Sequence, residues 1–103
     1  MTARIAIPTE RIAAFCERWQ VTELALFGSV LREDFGPASD IDVLVAFADE
    51  ARHSLFDMVR MEAELKDIFD REVDLVSRRG IERSRNYLRR KAILNSAETI
   101  HER

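Results

Sequence analysis

From Gly28 to Val45 the chain reads GSVLREDFGPASDIDVLV, and this stretch limits the possible folds more than any other. Its second half alternates acid and apolar residues. Successive side chains of a strand point to opposite faces, so Asp40 and Asp42 share one face, about 7 Å apart along the strand. Ile41, Val43, Val45 and Phe47 take the other face and are expected to enter a core. Strands usually avoid aspartate. Two acids on one face of an otherwise apolar strand repel each other and invite a cation, and a divalent ion with oxygen preference fits best.

The residues before this strand supply a second chemical feature. Val21 to Phe27 reads as a strand, and Gly28-Ser29 gives it a sharp exit. Glycine lets backbone come close to a ligand. Ser29 offers a hydroxyl and a backbone N–H at the start of an expected short helical turn, Val30 to Arg32, a natural place for an anion. Arg32 can add a guanidinium to the same phosphate. A phosphate grip beside a carboxylate pair that binds metal is what transfer from a nucleoside triphosphate requires.

A third acid fits the same pattern. Glu72 to Ser77 reads as a strand in which Val73 and Leu75 take one face and Asp74 and Val76 the other. If Val73 and Leu75 share the core with Ile41 and Val43, Asp74 emerges on the face of Asp40 and Asp42.

Gly-Ser, ten residues, Asp-any-Asp and a later strand Asp together resemble the signature of the nucleotidyltransferase superfamily related to DNA polymerase beta. At 103 residues the chain is similar to the minimal nucleotidyltransferases, antitoxin partners of HEPN-domain ribonucleases. The matching positions are Gly28, Ser29, Asp40, Asp42 and Asp74, and the match spans roughly residues 21 to 77. The resemblance implies two Mg²⁺ ions held by Asp40, Asp42 and Asp74, with ATP as substrate and Gly28, Ser29 and Arg32 on the nucleotide. Asp74 also takes the proton of the attacking hydroxyl in this reading. It further implies a HEPN toxin as partner, modified with AMP on a tyrosine hydroxyl and held in a hetero-oligomer. Family members commonly carry Arg-Gly-Asp or Arg-Gly-Glu where this chain has Arg32-Glu33-Asp34, which adds an acid near the phosphates. Two alternatives stay open: an antitoxin that caps its toxin by binding alone, and a transferase for a small molecule.

Composition bounds the rest. The length suits one domain, residues 1–103, and hydrophobic content of 47% with 34% charged residues is that of a folded chain. The expected class is α/β: a small mixed β-sheet, helices packed on one face and the carboxylates on the other. Cys16 is the single cysteine, which excludes an internal disulfide. No secretory signal or membrane span is visible, so a cytoplasmic location is expected. Net charge is −3, but residues 78–91 carry seven basic side chains against Glu82 alone, +6 within a remainder of −9. That segment suits triphosphate or an acidic partner surface. With Tyr87 as its only aromatic, it lacks the interleaved rings of a single-strand nucleic-acid binder.

Helices are expected at three places. One starts from an N-cap at Thr9 and runs to Trp19, with Ile12, Phe15, Cys16 and Trp19 on one stripe. A second follows a capping box at Ser54 and Asp57, with Leu55, Met58, Val59, Leu65, Ile68 and Phe69 inward. A third spans about Ile81 to Leu94, with Ile81 and Leu88 inward and Tyr87 or Ile93 as further candidates. Residues 97–101 suit either a helical turn or an edge strand.

Overall fold

The structure, a computed structural model, describes residues 7–28 and 40–102. Thr9–Trp19 forms helix α1, followed by strands β1 (Val21–Phe27) and β2 (Ile41–Phe47). Helix α2 (Leu55–Phe69) leads to strand β3 (Val73–Ser77), then helices α3 (Arg78–Glu82) and α4 (Tyr87–Ser96) and strand β4 (Glu98–Glu102). Among the described residues the four strands make one sheet in the order β3-β2-β1-β4. Strand β1 pairs antiparallel with β2 and with β4, and β2 pairs parallel with β3. The sheet is therefore mixed, and of the two readings of the tail it is the edge strand that forms, over Glu98–Glu102, with Ala97 capping α4.

Strand alternation sorts the core. Leu24, Leu26, Ile41, Val43, Val45 and Val73 join Ile12, Phe15 and Cys16 of α1 and Met61, Leu65 and Ile68 of α2 in one buried cluster. Val21 joins the same cluster because the β1–β2 register shifts between Val21 and Glu23. Burying Leu-, Ile- or Phe-sized side chains contributes about 1.5–3 kcal/mol each, and the conformational entropy of ordering the chain offsets most of it. Across α1 and α2, Glu64 accepts from Arg18 Nη1 at 2.7 Å and from Trp19 Nε1 at 3.1 Å, fixing their relative position.

The opposite face of the sheet is partly covered as well. Ala25, Phe27 and Leu44 pack with Ile81 of α3 and Ile93 of α4. Helices α3 and α4 thus lie on the same face as the acids, and the expected one-sided packing is amended accordingly. Beside this cluster Arg78 Nη1 donates to Glu23 Oε1 at 2.6 Å, and Thr99 Oγ1 donates to Glu23 Oε2 at 3.1 Å. One carboxylate on β1 so ties the end of β3 to β4.

Several local expectations change. Pro8, not Thr9, occupies the N-cap of α1, and the Thr9 hydroxyl donates backward to the Ile7 carbonyl. The capping box of α2 forms as read, with Ser54 Oγ accepting from Asp57 N–H and Asp57 Oδ2 accepting from Ser54 N–H. Its inward ridge is Met58, Met61, Leu65 and Ile68, at helical spacing, so Leu55 and Val59 are left exposed. Glu62, which interrupts the apolar stripe, accepts from Leu75 N–H on edge strand β3 at 3.3 Å. Capping an open N–H in this way blunts an edge. The third expected helix divides into α3 and α4 because Asn86 caps a new start, its side chain accepting from Arg89 N–H. Ile81 and Ile93 are buried, while Tyr87 and Leu88 face outward.

Candidate active site

The antiparallel register between β1 and β2 and the parallel register between β2 and β3 decide what meets at the start of β2. Asp42 pairs across with Phe27 on one side and with Asp74 on the other. Register partners point to the same face of a sheet, and adjacent strands lie about 4.8 Å apart. Asp42 and Asp74 are therefore immediate cross-strand neighbours on the face opposite Ile41, Val43 and Val73. Asp42 is half-buried and Asp74 exposed. Asp40 is exposed just before β2 begins.

Gly28 closes this end of the site. It follows Phe27 directly and has φ +75°, in the left-handed region. A Cβ placed on it would collide with Oδ2 of Asp42 and stand 3.2 Å from its Cγ. The residue must be glycine for two separate reasons, backbone conformation and room for the carboxylate. Phe27, which sequence reasoning did not single out, backs Asp42 and anchors the second cluster. Its place immediately before Gly28 was the available signal.

Ser29 and Arg32, the expected phosphate contacts, lie outside the described residues, as do Glu33, Asp34 and the Gly36-Pro37 turn. Among the described residues no three His, Cys, Asp or Glu side chains converge as a metal cage. What converges is the pair Asp42 and Asp74. Two adjacent carboxylates at a glycine cradle have the chemistry of a hard divalent cation site, so these residues fit Mg²⁺.

Other titratable groups are accounted for by structure. Burial pushes the Cys16 thiol up to about 12. His53 Nε2–H donates to the Trp19 carbonyl at 2.8 Å, and its ring packs against Trp19 and Phe47. A cavity of about 650 Å³ lies at the far end of β2 and β3, between Phe47, Arg52, Met58, Ser77 and Arg79. It is at the other end of the strands from Asp42 and Asp74, so this cavity and the acids do not coincide. Among the described residues no helix is long and apolar enough to cross a membrane.

A family model for the nucleotidyltransferase domain matches residues 10–99. A candidate protein adenylyltransferase of Methanocaldococcus jannaschii is 36% identical over 78% of this chain and 80% of its own length. A solved candidate minimal nucleotidyltransferase superposes with a TM-score of 0.66 at 32% identity, covering 86% of this chain and 85% of that one. A toxin–antitoxin crystal structure with AMP-PNP gives a TM-score of 0.69 at 19% identity, covering 93% of this chain and 74% of that one. At that identity the likeness is one of fold.

Proposed function

The chain belongs to the nucleotidyltransferase domain family, and we propose that it moves AMP from ATP to a tyrosine hydroxyl of a HEPN ribonuclease toxin, silencing it as an antitoxin. The observation that carries this reading is the register pairing of Asp42 with Asp74 beside Gly28. The match to a protein adenylyltransferase supports a protein acceptor. The likeness to toxin–antitoxin structures supports the setting, and one of those holds an ATP analogue. The proposed location is the cytoplasm, where ATP and such a partner meet.

Asp42 and Asp74 would hold Mg²⁺, with Asp40 completing the ligand set and Ser29 and Arg32 on the phosphates. When bound, the metal lowers the pKa of the attacking hydroxyl and offsets charge at the α-phosphorus. The acceptor oxygen bonds to the α-phosphorus, the bond to pyrophosphate breaks, and one proton leaves the hydroxyl. Asp74 is exposed and beside Asp42, and accepts that proton in this scheme. Gly28 keeps the floor under Asp42 open, which fixes where its carboxylate rests.

The test is incorporation of α-labelled AMP into the purified HEPN partner. Label appears with the native chain and disappears with Asp40→Asn combined with Asp42→Asn. A second reading, an antitoxin acting by contact alone, draws on Glu33 standing where family members commonly carry glycine. Under that reading the double variant still neutralises the toxin, and the native chain transfers no label.

A further inference from the structure

The basic segment is not absorbed by the site just described, and its fate in the fold is uneven. Arg78 is neutralised by Glu23 and Glu82. Arg90 donates to the carbonyls of Glu82 and Ser84. The guanidinium of Arg90 and the ammonium of Lys91 also stand 5.4 and 5.9 Å from the centre of the Tyr87 ring. Arg83, Arg85, Arg89 and Lys91 are exposed, and none has an ion pair with a described residue.

In the middle of these cations Leu88 is 77% and Tyr87 56% exposed. A helix with buried Ile93 turns Arg90, Ile93 and Ala97 inward, since these lie three and four apart. Leu88 then falls on the outer side with Arg89 and Lys91 to either side of it, and Arg83 and Arg85 are exposed in the turn between α3 and α4. The result is an exposed apolar residue among cations that have no ion pair with a described residue, the complement of an acidic protein surface with an apolar core. Interfaces concentrate energy in such a centre and take their specificity from the charged rim.

The same helix packs on the acid-bearing face of the sheet. Ile93 shares a buried cluster with Phe27, and Phe27 is the register partner of Asp42. A protein seated on the outside of α4 is therefore on the side of the sheet that carries Asp42 and Asp74. We infer that the outer side of α4 and the turn leading into it, with Arg83, Arg85, Leu88, Arg89 and Lys91, is the docking surface for the protein acceptor, and that the acceptor meets it with an acidic patch. This deepens the function proposed above and rests on it.

Two observations favour protein over nucleic acid. The remainder of the chain carries −9, which repels a polyanion extending past a patch of this size. The Tyr87 ring is already flanked by its own cations, and a base gains nothing from the exposed Leu88.

The experiment uses the full chain and the purified HEPN partner. Arg85→Glu with Arg89→Glu, Leu88→Asp, and the conservative pair Arg85→Lys with Arg89→Lys are compared with the native protein. Binding is measured directly and transfer is measured as KM and kcat for the partner, at low and high salt. Circular dichroism confirms folding of each variant. The expected result is that charge reversal and Leu88→Asp weaken binding and raise KM about tenfold or more, with kcat at saturation unchanged. The lysine pair stays near native, and native binding falls with salt while the reversed variant's does not. Unchanged KM and binding in folded charge-reversed protein overturn the inference. So does binding of a labelled single-stranded RNA that the reversal abolishes while partner binding persists. If the native chain binds the partner without labelling it and the variants weaken that binding, the docking surface stands and the transferase reading falls. If the native chain does not bind, both fall.

Discussion

Asp42 and Asp74 are direct neighbours across the parallel pairing of β2 and β3, one half-buried and one at the surface. Like charges placed opposite each other in a sheet are destabilising by about 0.2–1 kcal/mol. A cation bound between them would remove that repulsion.

Asp74→Asn should therefore separate stability from activity. In a metal-free buffer the variant melts at or slightly above the native temperature, because one repulsion is gone. Transfer of AMP falls by roughly 10²–10⁴-fold, the usual contribution of a positioned proton acceptor. Thermal melts in chelator, set beside a labelling assay, measure both. A clear loss of stability in chelator would show that Asp74 has a structural partner instead.

Gly28→Ala is the sharpest test of the cradle. The methyl group meets Oδ2 of Asp42 and the backbone sits at φ +75°. Left-handed backbone alone costs about 1–2 kcal/mol, which for a chain of this size lowers the melting temperature by about 4–8 °C per kcal/mol. Displacing Asp42 should add a loss of about 100-fold in transfer rate. A variant that melts lower yet transfers AMP at the native rate would separate the glycine from the chemistry.

The capping box of α2 gives a pH-dependent prediction. The backbone N–H of Ser54 donates to Asp57 and holds its carboxyl below the usual value of 3.8, with His53 and Arg60 reinforcing the shift. The charged form is thus favoured in the fold. Its stabilisation is complete above pH 3.8 and is lost as pH falls through the lower, folded value. The gap in melting temperature between native protein and Asp57→Ala should be constant near neutrality and narrow in acid below that point. Ser54→Ala should cost about 1 kcal/mol in chemical denaturation at pH 7.

Cys16 should be chemically silent. Burial between α1 and the sheet pushes its thiol up to about 12, and only the thiolate reacts. At pH 8 an aromatic disulfide reagent should release no thiol signal from native protein and one equivalent after unfolding. Rapid labelling of the native chain would mean that α1 opens readily.

The strands were legible in the sequence because period-two alternation leaves one face for Ile41, Val43 and Val45 and the other for Asp42. The same arithmetic foretold that Asp74 would share that face. Helix faces were less legible. Leu55 and Val59 are apolar in α2 like Met61, and only packing on the sheet decides that these two stay out. The break between α3 and α4 had a readable signal in Asn86, a strong N-cap residue. The expected single helix runs across that signal, and Ile81 and Ile93 are both buried but on separate helices. Cover on the acid face was not legible at all, since it depends on how α3 and α4 turn back after β3.

The most direct measurement is a crystal structure with Mn²⁺ and a non-hydrolysable ATP analogue, read by anomalous diffraction at the manganese edge. A manganese peak is expected at about 2.0–2.6 Å from carboxylate oxygens of Asp42 and Asp74, the distance range of oxygen-bound divalent ions. Nucleotide bound with its metal away from both residues, or an empty space between them at saturating Mn²⁺, would contradict it.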